Sequence, residues 1–174
     1  MLMTSPFSAP RNSPHIQSIL KTLVQGANES GQPKTQRSCL SLLRRLVEVW
    51  FGKAKLAGFE TFISQEVVTA CFQALGQPAF NLKDAEQFLM MREIAHLLKH
   101  VHLAGGAEFI TFLQGRYLPS IGLPSDVVAA CIAALESSTN TNRGPLVDFL
   151  KQFVAWAQGR VAQQATAQAT PARV

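Results

Sequence analysis

The sequence predicts an all-α chain of packed helical hairpins, and three observations carry that prediction. Apolar residues recur at three- and four-residue spacing along most of the 174 residues. Proline, or Ser, Asn or Asp, stands where such a pattern begins, and glycine repeatedly where it ends. No run alternates as a half-buried strand would, since the β-branched pairs Val67-Val68 and Val127-Val128 lie inside helical patterns.

Seven helices follow in order. The first opens at Ser13-Pro14 and sets Ile16, Ile19, Leu20, Leu23 and Val24 on one stripe before Gly26. The second opens near Pro33 and aligns Cys39, Leu42, Leu43, Leu46, Val47 and Trp50 before Gly52. Phe59 to Leu75 reads as the third, with a bend near Ser64. The fourth, about Lys83 to Leu103, is apolar over more than half its circumference through Met90, Met91, Ile94, Leu97, Leu98 and Val101, which requires neighbours on both sides. The fifth begins after Gly105-Gly106 and stops before Pro119. Pro124 and Pro145 open the sixth and seventh, carrying Val128, Cys131 and Leu135, then Leu146, Leu150, Phe153 and Val154. Helix pairs joined by short loops would recur near the roughly 40–47 residue spacing of HEAT-type repeats. A simple helical bundle is the alternative architecture.

Residues 1–12 and 158–174 lack this periodicity. The first carries Pro, Ser and Asn, the second includes AQQATAQAT, and both read as flexible segments flanking a helical region over 13–157. Hydrophobic content of 47% with 16% charged residues is too apolar for a disordered chain. The longest charge-free stretch, Val67 to Leu82, falls short of the roughly 20 residues that cross a bilayer, and Gly76 and Pro78 interrupt it, so no membrane insertion is expected. Pro6 and Pro10 break any signal-peptide core. The acid-poor stretch before Glu29 has the look of an organelle transit peptide, but Arg11 and Lys21 are its only basic residues.

No catalytic, metal or cofactor site emerges. Glu93 and His96 have the E-x-x-H spacing of di-iron bundles, but no second copy exists, and a solvated polar face accounts for them. His96 and His100 stand four apart without the H-E-x-x-H of zinc proteases. Gly105-Gly106 lacks the Lys-Ser/Thr of a P-loop, and Cys39, Cys71 and Cys131 fall on apolar stripes without metal spacing. The charge points elsewhere: sixteen Lys and Arg against eleven Asp and Glu give +5, which favours an acidic partner, either RNA or an anionic surface. Arg37 and Arg44 project opposite the Leu stripe of the second helix, with Lys53 and Lys55 just beyond its end, while Arg92, His96, Lys99 and His100 share the polar strip of the fourth. Clustered donors of this kind bind phosphate backbones by releasing counterions. Glu48 and Glu93 partly neutralise both strips, so a face that merely keeps the helices soluble is the competing explanation.

From about His15 to Gln158 the chain resembles the C-terminal region of the tRNA exportins (exportin-T), of the importin-β superfamily. The stretches that carry it, in order, are LVQGAN, QRSCLSLLRRLVEVWFGK, GFETFI, ACFQAL, FNLKDAEQ, YLPSIGLP and DFLKQF. They are packing and turn residues, so the specificity lies in their order and spacing. The resemblance implies HEAT-like helical repeats and a role in nuclear export of tRNA, shuttling between nucleus and cytoplasm with Ran-GTP and nuclear pore proteins as further partners. The N-terminal repeats that hold Ran in that family have no counterpart in this sequence. It supplies no residue-level contacts, so the expected tRNA contacts, Arg37, Arg44, Lys53, Lys55, Arg92 and Lys99, rest on charge clustering. A protein-only helical scaffold is the other reading. Self-association through an uncovered first helix, at Ile16, Ile19, Leu20 and Leu23, is also expected, because an unstacked repeat leaves its apolar face open.

Overall fold

A computed structural model describes residues 13–29, 31–51 and 58–169. Six helical runs and no strand occur among them. Helix α1 is Ser13–Glu29 and α2 is Pro33–Trp50, the latter opened by the proline whose fixed φ suits a first helical turn. Run α3 (59–75) joins Phe59–Phe62 to Val68–Leu75 through a π-helical turn at Ile63–Val67, where the sequence places its bend. Run α4 (85–120) starts at Ala85, capped by the Asp84 carboxylate accepting from Gln87 N at 3.0 Å, and closes through a second π turn, Leu113–Tyr117, into Leu118–Ser120. Helix α5 is Ser125–Ser137 and α6 is Gly144–Ala169.

Three boundaries differ from the sequence reading. The fourth and fifth helices are one run interrupted only at Gly106, whose φ of 54° and ψ of −138° a side chain rarely allows. That run also passes through Pro119, which sits in the short segment after the π turn, where its missing N–H costs least. Helix α6 continues twelve positions past the end of its apolar pattern at Ala157. Ala and Gln sustain a helix by propensity without an apolar stripe. Beyond that point Gln158 donates to Phe80 O at 2.5 Å, and Arg160 donates to Ile121 O at 3.0 Å with its guanidinium 4.9 Å from the Trp156 ring centroid.

The runs pack as α1 on α2 and α3, α2 on α4, α4 on α5 and α6, and α5 on α6. Run α4 is enclosed from both sides, and Met90, Met91, Ile94, Leu97, Leu98 and Val101 are all buried, as its wide apolar surface requires. One continuous core links every run, from Ile16 and Leu20 in α1 to Phe153 and Val154 in α6. The uncovered first helix is therefore corrected: Ile16 and Leu20 are buried, Leu23 is half-buried, and Ile19 alone of that stripe is open. Side-chain amides close the end of α1, where Gln36 and Gln77 both donate to Asn28 O.

Candidate nucleic-acid interface

Packing α2 against α4 brings their polar edges together, as a helix pair must when each buries an opposite apolar stripe. Arg44 lies at the centre. Its Nε donates to Glu93 Oε1 on α4 at 2.7 Å and another guanidinium nitrogen to Glu48 Oε1 on α2 itself at 2.6 Å, so the Glu93 bond ties the two helices while Glu48 holds the guanidinium in place. Burial, which opposes the charged guanidinium, is outweighed by Glu93 and Glu48, and the Arg44 pKa rises. His100 extends the seam: Nε2 is 2.8 Å from Glu48 Oε1 and Nδ1 is 2.8 Å from His96 O. His96 lies 3.8 Å from Glu93, yet burial and then the charge of Arg143 push its pKa down.

The six expected contacts separate sharply. Arg37 is half-buried and 3.4 Å from Glu86 Oε2, an ion pair at the edge of the α2–α4 contact. Arg44 is engaged as above. Arg92 is exposed, with no hydrogen bond or ion pair among the described residues. Lys53 and Lys55 lie outside the described residues.

Lys99 is corrected outright: it is 3% exposed, its Nζ donating to Leu135 O at 2.8 Å and facing His102 Nδ1 at 3.0 Å. It shares the helical face of Arg92 but sits two turns along, where the end of α5 crosses over it. Burial pushes its pKa down, against the pull of Glu136. An ammonium at the carbonyl end of α5 complements the helix dipole, which gives Lys99 a structural role.

Sequence reasoning missed Arg143. It lies in the α5–α6 connection, where no periodicity assigns it a face, yet folding brings it under the influence of the charges of Arg92, Arg44 and Glu93. Burial first, then the charges of Arg92 and Arg44, push its pKa down. The connection is pinned by buried Ser138, whose Oγ accepts from Leu146 N at 3.1 Å, and by Asn142, whose Oδ1 accepts from Gly144 N at 3.1 Å. Among the described residues no group of His, Cys, Asp and Glu is arranged to hold a metal.

Packed helices joined by short connections, with a seam of paired charges between two of them, define an all-α helical-repeat protein. Comparison with known proteins gives the family. The Exportin-T family model matches residues 3–158. The chain is 36% identical to Exportin-T from Homo sapiens over 128 residues, 74% of this chain and 13% of that protein. It is 35% identical to Exportin-T from Danio rerio over 151 residues, 87% of this chain and 15% of that protein. With Exportin-T from Coprinopsis cinerea it shares 30% identity over 156 residues, 84% of this chain and 14% of that protein. No solved structure matches the chain. The chain belongs to the Exportin-T family, and it spans about an eighth of the length of the curated relatives it matches.

Proposed function

We propose that this chain is a tRNA-export module, contributing part of the tRNA-contacting surface of a nuclear export receptor through the α2–α4 seam and the α5–α6 connection. The family match over residues 3–158 carries this reading. The net charge of +5 and the exposed Arg92 beside the seam support it. Ran-GTP and nuclear pore proteins, with shuttling between nucleus and cytoplasm, enter as partners and location of the full-length family. Fluorescence titration of tRNA at several salt concentrations tests the reading. The chain is expected to bind weakly, with log affinity falling by about 0.9 per neutralised duplex phosphate for each unit of log salt. Combined Arg37→Ala, Arg44→Ala and Arg92→Ala substitution should flatten that slope, and undetectable binding at low salt would remove tRNA from the reading.

A second reading, a scaffold that binds only protein, has its own observation. Ile19 on α1 and Leu42 and Val49 on α2 are 57%, 49% and 62% exposed, and Leu42 and Val49 stand seven residues apart on one helical face. In that case the chain self-associates with rising concentration, and Leu42→Glu with Val49→Glu abolishes the effect. A monomer at every concentration in sedimentation would exclude self-association through this face.

A further inference from the structure

We propose that Arg45 and Arg92 occupy equivalent positions of a tandem repeat and contact separate phosphates of one nucleic-acid backbone, one arginine to each repeat. The phosphate rests on the tRNA reading above; the repeat and its outward arginines do not. Arg45 is not among the contacts that charge clustering predicts.

The repeat becomes visible once the break in α4 is placed. Leu-Ala-Gly at 56–58 recurs at 103–105, and Phe-Glu-Thr-Phe-Ile at 59–63 recurs as Phe-Ile-Thr-Phe-Leu at 109–113. The second copy carries residues 106–108 between the two stretches, so earlier positions stand 47 apart and later ones 50 apart. Thus α2 and α3 correspond to the two arms of α4 on either side of Gly106. The structure agrees position by position. Each π turn begins at the last residue of the second stretch, Ile63 or Leu113, and both are buried, as are Phe59 and Phe109, and Val47 and Ile94. A spacing of this size is that of helical-hairpin repeats.

Buried positions recur because each copy packs in the same way. Positions open to solvent are free of that constraint, and along α2 most of them have changed: Arg37 corresponds to Asp84, Glu48 to Ala95 and Val49 to His96. Two identities survive between α2 and its counterpart in α4, Leu42 with Leu89 and Arg45 with Arg92, and all four side chains are exposed. A cationic side chain kept at the surface through such divergence points to binding. Neither arginine makes an ion pair or hydrogen bond among the described residues, and the nearby acids Glu48 and Glu93 are engaged by Arg44 and His100.

The bonds between the helices fix where the two arginines point. Arg37 with Glu86, Arg44 with Glu93 and Glu48 with His100 follow the same order along both helices, so α2 and α4 run parallel. Arg44 and Glu93 meet across the seam at 2.7 Å. Arg45 comes one residue, about 100° of helix, after Arg44, and Arg92 one residue before Glu93, which in parallel helices turns both to the same side. Packed helices lie about 8–10 Å apart, so the row presents one guanidinium per helix width, each with a planar fork suited to its own phosphate.

Titration of fluorescently labelled tRNA with the full chain across a salt series tests the row. The variants are Arg45→Gln, Arg92→Gln, both together, and Arg116→Gln as control, an exposed arginine whose counterpart in the first copy is Glu66. Each single variant should lower the magnitude of the salt slope by about 0.9 and the double variant by about twice that, with the losses in log affinity adding. Denaturation midpoints should stay at the wild-type value, because both side chains are exposed. An Arg45→Gln variant that behaves as Arg116→Gln overturns the equivalence, and a double variant that does so overturns the row. If the wild-type chain binds no tRNA at low salt, labelled polyglutamate decides. Equal losses from either arginine then keep the row and assign it to an acidic protein in place of nucleic acid, whereas no binding rejects the row as well.

Discussion

Two side chains on one face of α4 have opposite fates, and the difference is testable at each. Lys99 is buried with its Nζ on Leu135 O, so Lys99→Met strips a charged donor from the carbonyl end of α5 and should destabilise the fold by about 1–3 kcal/mol in chemical denaturation, leaving the tRNA salt slope unchanged. NMR titration of the same variant should raise the pKa of His102, which burial and the Lys99 charge hold down. A slope change without loss of stability would return Lys99 to the binding surface. His96 and His102 also set the response to acid. Both have pKa values below the ordinary histidine value in the folded chain, so the unfolded chain binds more protons between those lowered values and about 6.5. Their contribution to stability is present above the ordinary histidine pKa and is lost as pH falls through it. Thermal melts between pH 7.5 and 5.5 should show that decline, and His96→Gln with His102→Gln should flatten it. The Lys99 result also shows how far the site was legible. Spacing correctly gave the helical face shared by Arg92, His96 and Lys99, but position along the axis decides which of them α5 covers, and no local pattern encodes that crossing. Arg143 was invisible for a related reason, since a loop residue acquires neighbours only through the packing of the elements it joins.

The helical runs were far more legible than the site, because every one of them through Ala157 buries a stripe at helical spacing and most begin at a proline or an acidic or hydroxyl residue. The exceptions are informative. Helix α6 outlasts its stripe on Ala and Gln propensity. The run 85–120 crosses Gly106, which sequence patterns treat as an end although helix resumes at once. A methyl group at Gly106 would meet no atom within 4 Å, so the obstacle to Gly106→Ala is its backbone conformation alone. The substitution should cost about 1–3 kcal/mol, read from denaturation midpoints. A neutral effect would mean that the break relaxes easily into continuous helix.

For the molecule as a whole, the decisive arrangement is the central place of α4, enclosed by α2 on one side and by α5 and α6 on the other. Trp50 at the end of α2 packs edge-on to Phe59 at 5.7 Å, and Trp156 on α6 lies 5.8 Å from Phe153, so the two indoles report on opposite flanks of α4. Single-tryptophan variants, Trp50→Phe and Trp156→Phe, should lose their fluorescence signal at the same denaturant concentration as the far-UV circular dichroism. Separate midpoints would show that the flanks unfold independently. The shared middle run has a mechanical consequence. Arg44 fastens α2 to α4 through Glu93, and Glu48 does so a turn further on through His100. Load applied at that seam would therefore enter the stack at its central run and be shared by the helices on both sides of it.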